Sequence, residues 1–361
     1  MSQRPVINIS LTTLLWILAI FLLLVLLWQL RSLLVILMIA VVIAATLAPI
    51  IAEAEKLGIP RWLGVILVYL GLIALLVTAG LIIGPTVISQ IERLLQKLPI
   101  YLESLGNSAE ELAVRFGIKE PTTIDLINQF FDVQALTSWV FRSSQLLILR
   151  SLVVTRGLLG VAFNLVLALF FSGYMLAGSD RLLKGLVSIF PEPWEQRLAQ
   201  QITPVSKRMG GYIQGRIVVS AILGVVITFG LNIIGIVDFS LALGVIAGFT
   251  NLIPFFGPVL GAIPALIVAI AQGWWTFFWV LLLYVIIQNV ETYLLDPLLV
   301  GSSVKISPIY QLLAVLGGVQ VLGIIGALIV PPWVAGFNVM LDNLYLQPKR
   351  NREEGDLSEI D

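Results

Sequence analysis

The chain has 361 residues, of which 59% are hydrophobic and only 12% are charged. Soluble domains carry about 25% charged residues, so this composition predicts an integral membrane protein that has the lipid bilayer as a partner. The 21 basic and 21 acidic residues balance, which argues against nucleic acid as a partner.

Three apolar stretches follow one another in the N-terminal part of the chain, at 11–30, 33–51 and 63–83. Each has roughly the 20 residues that a helix needs to cross a bilayer. No small-residue cleavage site directly follows the first stretch, so we interpret it as a retained anchor rather than a signal peptide. Residues 1–86 are therefore predicted to form transmembrane helices 1–3, with Gly84-Pro85 ending the third.

The segment 87–146 is more polar, and its apolar residues recur at helical spacing, as at Ile88, Ile91 and Leu95. This pattern predicts a small helical extramembrane region. Two roles remain open for it. It is either a packing lid or assembly surface, or a gate or cap that recognises solute.

Residues 147–179 are predicted to form transmembrane helix 4, and 180–216 a cytoplasmic loop with an amphipathic helix. The loop is the most basic of the chain, and basic loops face the cytoplasm. Its basic residues are Arg181, Lys184, Arg197, Lys207, Arg208 and Arg216. Counting spans from this loop predicts cytoplasmic N- and C-termini, an extracytoplasmic region 87–146 and a disordered cytoplasmic tail 346–361.

The segment 217–345 is predicted to be a transport core, because its apolar run 239–271 is interrupted by prolines and glycines. Each arm of this run has roughly 13 residues, fewer than the ~20 that a crossing needs. The arms form either a re-entrant hairpin or one discontinuous crossing. The run 309–341, with glycines and Pro331-Pro332, presents the same alternative.

Glu291 is the most notable ionisable residue in apolar sequence. On a helix it shares one face with Tyr284 and Gln288, while Asn289 and Asp296 lie on a neighbouring face. A carboxylate at membrane depth is costly and marks an ion or substrate pathway by default, where it could exchange protons. The alternative is that Glu291 lies near the membrane surface or locks two helices together through a hydrogen bond.

Asn251 directly precedes the break at Pro254 and offers both a donor and an acceptor. Free backbone groups at such a break could coordinate a polar solute or a cation. The alternative is that Asn251 caps the second arm. The predicted pathway residues are Asn251, Pro254, Gly257, Pro258, Tyr284, Gln288, Asn289, Glu291 and Asp296.

Four motifs in the second half of the chain resemble those of the autoinducer-2 exporter (AI-2E) family of bacterial permeases. They are Gly210-Gly-Tyr-Ile-Gln-Gly-Arg216, Asn251-Leu-Ile-Pro-Phe-Phe-Gly-Pro258 with Gly261 and Pro264, Glu291…Asp296-Pro-Leu-Leu-Val-Gly301 with Ser307-Pro308, and Gly323-Ile-Ile-Gly-Ala…Pro331. Their order along the chain makes the resemblance stronger than any single motif. The doubled proline at Pro331-Pro332 departs from the usual pattern.

The resemblance implies an all-α polytopic protein of the bacterial inner membrane, with about seven or eight transmembrane segments and a homo-oligomeric state. It also implies export of a small polar solute, such as an autoinducer-2-like signal or a related metabolite. Some members of the family are linked to sodium/proton exchange, so coupling to H⁺ or Na⁺ is part of the expectation. Two interrupted or re-entrant C-terminal segments and the small extramembrane region complete the expected fold.

Other functions are weighed against a secondary-active transporter. A sodium/proton antiporter or a passive channel is the nearest alternative, although no repeated ring motif of a channel is legible. A structural membrane scaffold would need neither Glu291 nor the break at Pro254. An enzyme is not predicted, because the absence of His and Cys excludes His-based serine chemistry and argues against a zinc site. No Walker A sequence is present, so ATP is not expected to be the chain's own energy source. No cofactor is expected.

Overall fold

The computed structural model describes residues 11–115, 151–301 and 307–351 of the chain, and all the regular elements in these ranges are helices. The helices are α1 (Leu11–Gln29), α2 (Arg31–Lys56), α3 (Arg61–Arg115), α4 (Ser151–Ala177), α5 (Ser179–Val187), α6 (Trp194–Ile234), α7 (Ser240–Thr250), α8 (Phe256–Gln272), α9 (Trp274–Val290) with a π-helical continuation (Glu291–Gly301), and α10 (Pro308–Leu341) with a π-helical end (Asp342–Leu346). The predicted helices between 116 and 150 lie outside the described residues.

Six of these helices are long and apolar enough to cross a membrane, within the ranges that the structure describes. The bent pair formed by α4 and α5 would add a seventh. Helix α1 exposes nearly all of its large apolar side chains, which only a lipid environment tolerates over such a length. The prediction of an all-α polytopic membrane protein is confirmed.

The main core lies around α6. Val219, Leu223, Ile227 and Leu231 recur every four residues along this helix and are at most 4% exposed. This stripe packs against apolar residues of α7, α8 and α9, and the four helices share one core cluster. Burial of an apolar helical stripe is what stabilises such packing. The arrangement fixes the positions of any polar groups on the same stripe of α6.

Helices α7 and α8 form a hairpin. A Cβ on Gly257 would overlap the carbonyl oxygen of Thr250, and a Cβ on Gly261 would lie 2.8 Å from the Cα of Ala247. The later residue of α8 therefore contacts the earlier residue of α7, which shows that the two helices are antiparallel. The two arms of the run 239–271 therefore fold back on each other.

Helix α10 contains a second reversal. Gly323 has φ 66° and ψ −151°, a conformation available to glycine and strained for other residues. A Cβ on Gly318 would overlap the carbonyl of Gly326, and a Cβ on Gly326 would overlap the carbonyl of Gly318. In a straight helix these residues would lie about 12 Å apart, so the chain turns back at Gly323. The prediction of an interrupted last segment is confirmed.

Two predicted boundaries are absent. Helix α3 continues through Gly84-Pro85, and α6 joins the predicted cytoplasmic loop to the predicted transport core as one helix. The segment after α9 also continues past Asp296-Pro297, in π-helical turns. A proline in a helix removes one backbone hydrogen bond, and a long helix keeps the others on both sides of it. At the C-terminus, the helix extends into the predicted disordered tail as far as Asn351.

We expect Gly326→Ala to lower the stability of the protein by about 1–3 kcal/mol, as overpacked sites do. The added Cβ would overlap the Gly318 backbone, and a backbone atom cannot rotate away. The measurement is the midpoint of thermal unfolding in detergent.

Gly317→Ala is the matched control, because its Cβ would meet nothing within 4 Å. It should leave the midpoint unchanged or raise it slightly through better helix propensity. Equal midpoints for the two variants would contradict the close contact across the α10 turn.

Candidate functional site

A buried ion pair joins α6 to the end of α9. Nη1 of Arg216 lies 3.1 Å from Oε1 of Glu291, and the two side chains are only 5% and 3% exposed. The same Nη1 donates to Oδ1 of Asp296 at 3.2 Å. One guanidinium therefore faces two carboxylates, of which Asp296 is the more exposed, at 40%.

The tip of the α7–α8 hairpin reaches this ion pair. Nδ2 of Asn251 donates to Oε1 of Glu291 at 3.0 Å, and Asn251 is 2% exposed. Four residues later, Phe255 has φ 65°, in a region that non-glycine residues seldom occupy. Strained backbone of this kind clusters at functional sites. The hairpin tip thus combines an unusual backbone with a direct bond to the buried carboxylate.

The local sequence explains how each charged side chain arrives there. Arg216 continues the helical stripe of Tyr212 and Val219, so the packing of α6 carries it inward. The chain from Glu291 to Gly301 is π-helical, and it contains Pro297, which cannot close a regular helical turn. Gly215 lets this segment approach α6, since a Cβ there would overlap the carbonyl of Leu299.

Three buried side-chain atoms at or beside the ion pair have no hydrogen-bond partner among the described residues. They are Nε of Arg216, Oγ of Ser220 and Oδ1 of Asn251. Buried polar atoms are normally paired, and each exception calls for an explanation. The set supplies one donor, one acceptor and one hydroxyl that can act as either.

A small cavity of about 20 Å³ adjoins the hydrogen-bonded pair of Asn251 and Glu291. Its lining residues are Leu223, Ile227, Ala247, Asn251, Pro258, Tyr284, Ile287, Gln288 and Glu291. A volume of this size holds roughly one water molecule, so the site is closed to anything larger.

The structure brings most of the predicted pathway residues to this place. Asn251, Pro258, Tyr284, Gln288 and Glu291 line the cavity. The hydroxyl of Tyr284 also donates to the carbonyl of Gly261 at 3.1 Å, which holds α9 against the hairpin.

The other predicted residues have different positions. Pro254 and Gly257 are buried in the hairpin tip, and Asp296 lies at the ion pair rather than in the cavity lining. Asn289 is exposed and donates to the carbonyl of Val285 on its own helix. The structure therefore gives Asn289 no contact with the site.

Arg216 is the residue that sequence reasoning missed, because it was counted as the last basic residue of a cytoplasmic loop. The stripe that runs through Met209 and Tyr212 continues, at helical spacing, to Arg216 and then to Val219. This spacing was the available signal that Arg216 is buried. Ser220, one turn further on, lies in the predicted transport core, where a single serine among apolar residues does not stand out.

No group of three or more Asp or Glu side chains that could hold a metal ion occurs in the described ranges. The two carboxylates of the site are held by a guanidinium instead. If all three groups are ionised, one positive charge faces two negative ones.

Comparison with known proteins gives a consistent match. The sequence pattern of AI-2E family transporters matches residues 12–346. YueF of Bacillus subtilis (strain 168), named as a candidate transport protein, is 28% identical over 288 residues, which are 79% of this chain and 76% of YueF. PerM of Escherichia coli (strain K12), named as a candidate permease, is 27% identical over 283 residues, 77% of this chain and 78% of PerM.

A third relative matches over a shorter region. YrrI of Bacillus subtilis (strain 168), also named as a candidate transport protein, is 34% identical over 168 residues. The match covers 46% of this chain and 47% of YrrI, so it spans about half of that protein's length.

We expect Arg216→Gln to destabilise the protein by about 3–5 kcal/mol, because removing one partner leaves Glu291 buried without its counter-charge. The double variant Arg216→Gln with Glu291→Gln should recover part of that loss, since only Asp296, which is 40% exposed, then lacks its counter-charge. Thermal unfolding of the wild type, both single variants and the double variant gives the coupling free energy between the two side chains.

Lys56→Gln is the control, because the side chains of Lys56 and of its ion-pair partner Glu53 are each 70% exposed. Exposed pairs contribute about 1 kcal/mol or less. Additive effects of Arg216→Gln and Glu291→Gln would contradict a direct ion pair.

Proposed function

We propose that this chain, which belongs to the AI-2E transporter family, is a secondary-active transporter that exports a small polar solute. Membership of the family supports a role in membrane transport. The observation that carries the finer proposal is the buried cluster of Arg216, Glu291 and Asn251 at the tip of a helical hairpin. Ionisable groups within membrane-spanning helices are costly and are typical of substrate and ion pathways.

The solute that fits this cluster is small and rich in hydroxyl groups, such as an autoinducer-2-like signal or a related metabolite. The unpartnered atoms of Arg216, Ser220 and Asn251 offer a donor, a hydroxyl and an acceptor at the same site. A polyhydroxylated solute can pair with all three kinds of group, while an apolar one would leave them unsatisfied.

Coupling to H⁺ or Na⁺ follows from the charges of the cluster. Arg216 balances only one of the two carboxylates, Glu291 and Asp296. A buried excess negative charge is costly, and a bound proton or monovalent cation removes that cost. The same property favours sodium/proton antiport as a second candidate function, in which the cation itself is the cargo. A passive channel or a structural scaffold would not use this excess charge.

Transport requires the site to open. The cavity beside Glu291 holds about one water molecule, at about 20 Å³. We propose that the α7–α8 hairpin moves relative to α6 and α9. Among the polar side chains of the hairpin in the described ranges, only that of Asn251 contacts Glu291, so one hydrogen bond holds the tip to this carboxylate. Hinge movements of packed helices are a common way to gate a site.

The orientation we propose has both termini in the cytoplasm of a bacterial inner membrane. The basic stretch that includes Arg181 and Lys184 is then cytoplasmic, and the end of α3 near Tyr101 is extracytoplasmic. The T-shaped contact of Tyr101 with Phe239 is consistent with this, since both residues then lie on one side.

In this orientation the two hairpins are re-entrant and enter from opposite faces. The α7–α8 hairpin enters from the extracytoplasmic side, and the hairpin at Gly323 enters from the cytoplasm. Residues 217–345 form the transport core, 87–146 the extracytoplasmic region and 180–216 a cytoplasmic segment, whose last residue, Arg216, lies buried in the core beside Glu291. The family resemblance also leads us to propose a homo-oligomer.

We expect Glu291→Gln to reduce solute flux into or out of proteoliposomes by roughly tenfold or more, and to flatten its dependence on pH. The variant replaces the carboxylate that pairs with Arg216 by an uncharged amide of the same shape. The measurement follows candidate solutes, protons and Na⁺ under imposed gradients of H⁺ or Na⁺.

Glu53→Gln is the control carboxylate, because Glu53 is exposed and pairs only with Lys56 in the described ranges. It should keep wild-type flux and pH dependence. If Glu291→Gln did the same, the coupling site would lie elsewhere.

The proposed orientation predicts a labelling pattern for single cysteines. The chain has no cysteine, so each introduced thiol is the only target. A membrane-impermeant maleimide added to intact spheroplasts should label Glu103→Cys, which is extracytoplasmic, and spare Glu53→Cys, which is cytoplasmic. Both positions are exposed in the structure. After permeabilisation both should react, and the reverse pattern in intact spheroplasts would invert the topology.

A further inference from the structure

An apolar cavity of about 290 Å³ lies between α3 and the α7–α8 hairpin, away from the ion pair. Its lining residues are Ile91, Leu94, Leu95, Leu98, Ile246, Ile263, Pro264 and Ile267. The lining is entirely aliphatic apart from the proline ring. We propose that this cavity binds one acyl chain of an anionic membrane phospholipid.

The size and chemistry of the cavity favour an alkyl chain. Water needs two to four polar partners, and no polar side chain lines this space. A known engineered cavity of about 150 Å³ stays dry and takes up a benzene-sized guest, and this one is about twice as large. An empty void of this size would forfeit the dispersion contacts of its whole lining.

The cavity opens to the surface of the helix bundle. Leu95 and Ile263, on its two sides, are each 48% exposed, while Leu94 at its floor is 8% exposed. The α3 side of this opening belongs to the region that we place outside the bilayer, and its hairpin side belongs to the core that enters it. The opening therefore lies at the extracytoplasmic boundary of the membrane, where a lipid tail can enter an apolar site without any polar group having to lose water.

Charge on α3 indicates which kind of lipid fits. At 3.6 residues per turn, the cavity-lining residues 91, 94, 95 and 98 form one face of the helix. Lys97 lies beside that face, and Arg93, one turn earlier, lies on the same side but further round the helix. Glu92 and Gln96 lie on the other side, and all four are exposed. Two basic side chains one turn apart suit the phosphate of an anionic headgroup.

Neighbouring contacts keep this surface in place. Nζ of Lys97 lies 5.5 Å from the ring centre of Phe239 at the start of α7. The buried side chain of Gln90 accepts a hydrogen bond from the backbone N–H of Ala242 at 2.8 Å. These contacts hold α3 beside the hairpin, so a lipid chain between them would touch the element that carries Asn251.

The test is native mass spectrometry of the full chain after exchange into detergent with defined lipids. The wild type should retain about one phosphatidylglycerol per chain, as a single cavity of this volume would, and phosphatidylcholine should be retained less. Leu95→Trp, which fills the cavity, should lower retention at least about tenfold, since it blocks the tail. Leu75→Trp is the matched control on the same helix, at a position 67% exposed and outside the cavity lining.

Arg93→Gln with Lys97→Gln should lower phosphatidylglycerol retention about tenfold and leave phosphatidylcholine retention unchanged. Monodisperse elution checks that each variant is folded, and cryo-electron microscopy of the wild type in nanodiscs gives a second measurement. We expect elongated density between Leu94 and Ile267. Equal lipid retention by Leu95→Trp and the wild type, retention of a free fatty acid instead, or occupation of the cavity by a second copy of the chain would each overturn the proposal.

Discussion

The arrangement of the core depends on one buried ion pair, between Arg216 and Glu291. Moving two charges out of water costs several kcal/mol per ion, and only close geometry with further hydrogen bonds offsets that cost. Asn251 and Asp296 supply those bonds to the two partners. Three separate pieces of chain must therefore meet at one point. Two of these pieces are the hairpin tip and the π-helical segment after α9. Both depart from regular α-helix at the point where they meet the ion pair.

Close backbone approach makes this meeting possible. A Cβ on Gly248 would lie 3.0 Å from the carbonyl oxygen of Ser220, and one on Gly224 would lie 3.1 Å from that of Gly244. Small residues at such crossings let helices in a membrane pack by van der Waals contact, where the hydrophobic effect does not drive association. Glycines on α6 and α7 thus bring the hairpin near enough for Asn251 to reach Glu291 on α9.

The sequence predicted the interrupted segments and singled out Glu291, because prolines, glycines and carboxylates stand out in apolar runs. It did not reveal that the helical chain continues through Gly84-Pro85 and Asp296-Pro297, since a proline marks a lost hydrogen bond but not whether the helix continues past it. Arg216 was hidden because it directly follows a polar stretch, and charge counting treats such residues as surface. Only its place in the buried stripe distinguishes it, and its partners come from 75 and 80 residues later in the chain.

In the proposed mechanism, the charge on Glu291 shifts the equilibrium between the closed and the open hairpin. Oε1 of Glu291 holds both the guanidinium of Arg216 and the amide of Asn251. Neutralising this carboxylate with a proton or a cation weakens both contacts at once, so it loosens the hairpin tip from α6 and α9 together. By linkage, a solute that binds the ionised carboxylate must lower the affinity of the site for the proton or cation by the same factor. In this proposal the two compete for one carboxylate shared by a fixed helix and a movable hairpin, as exchange of an exported solute for an entering cation requires.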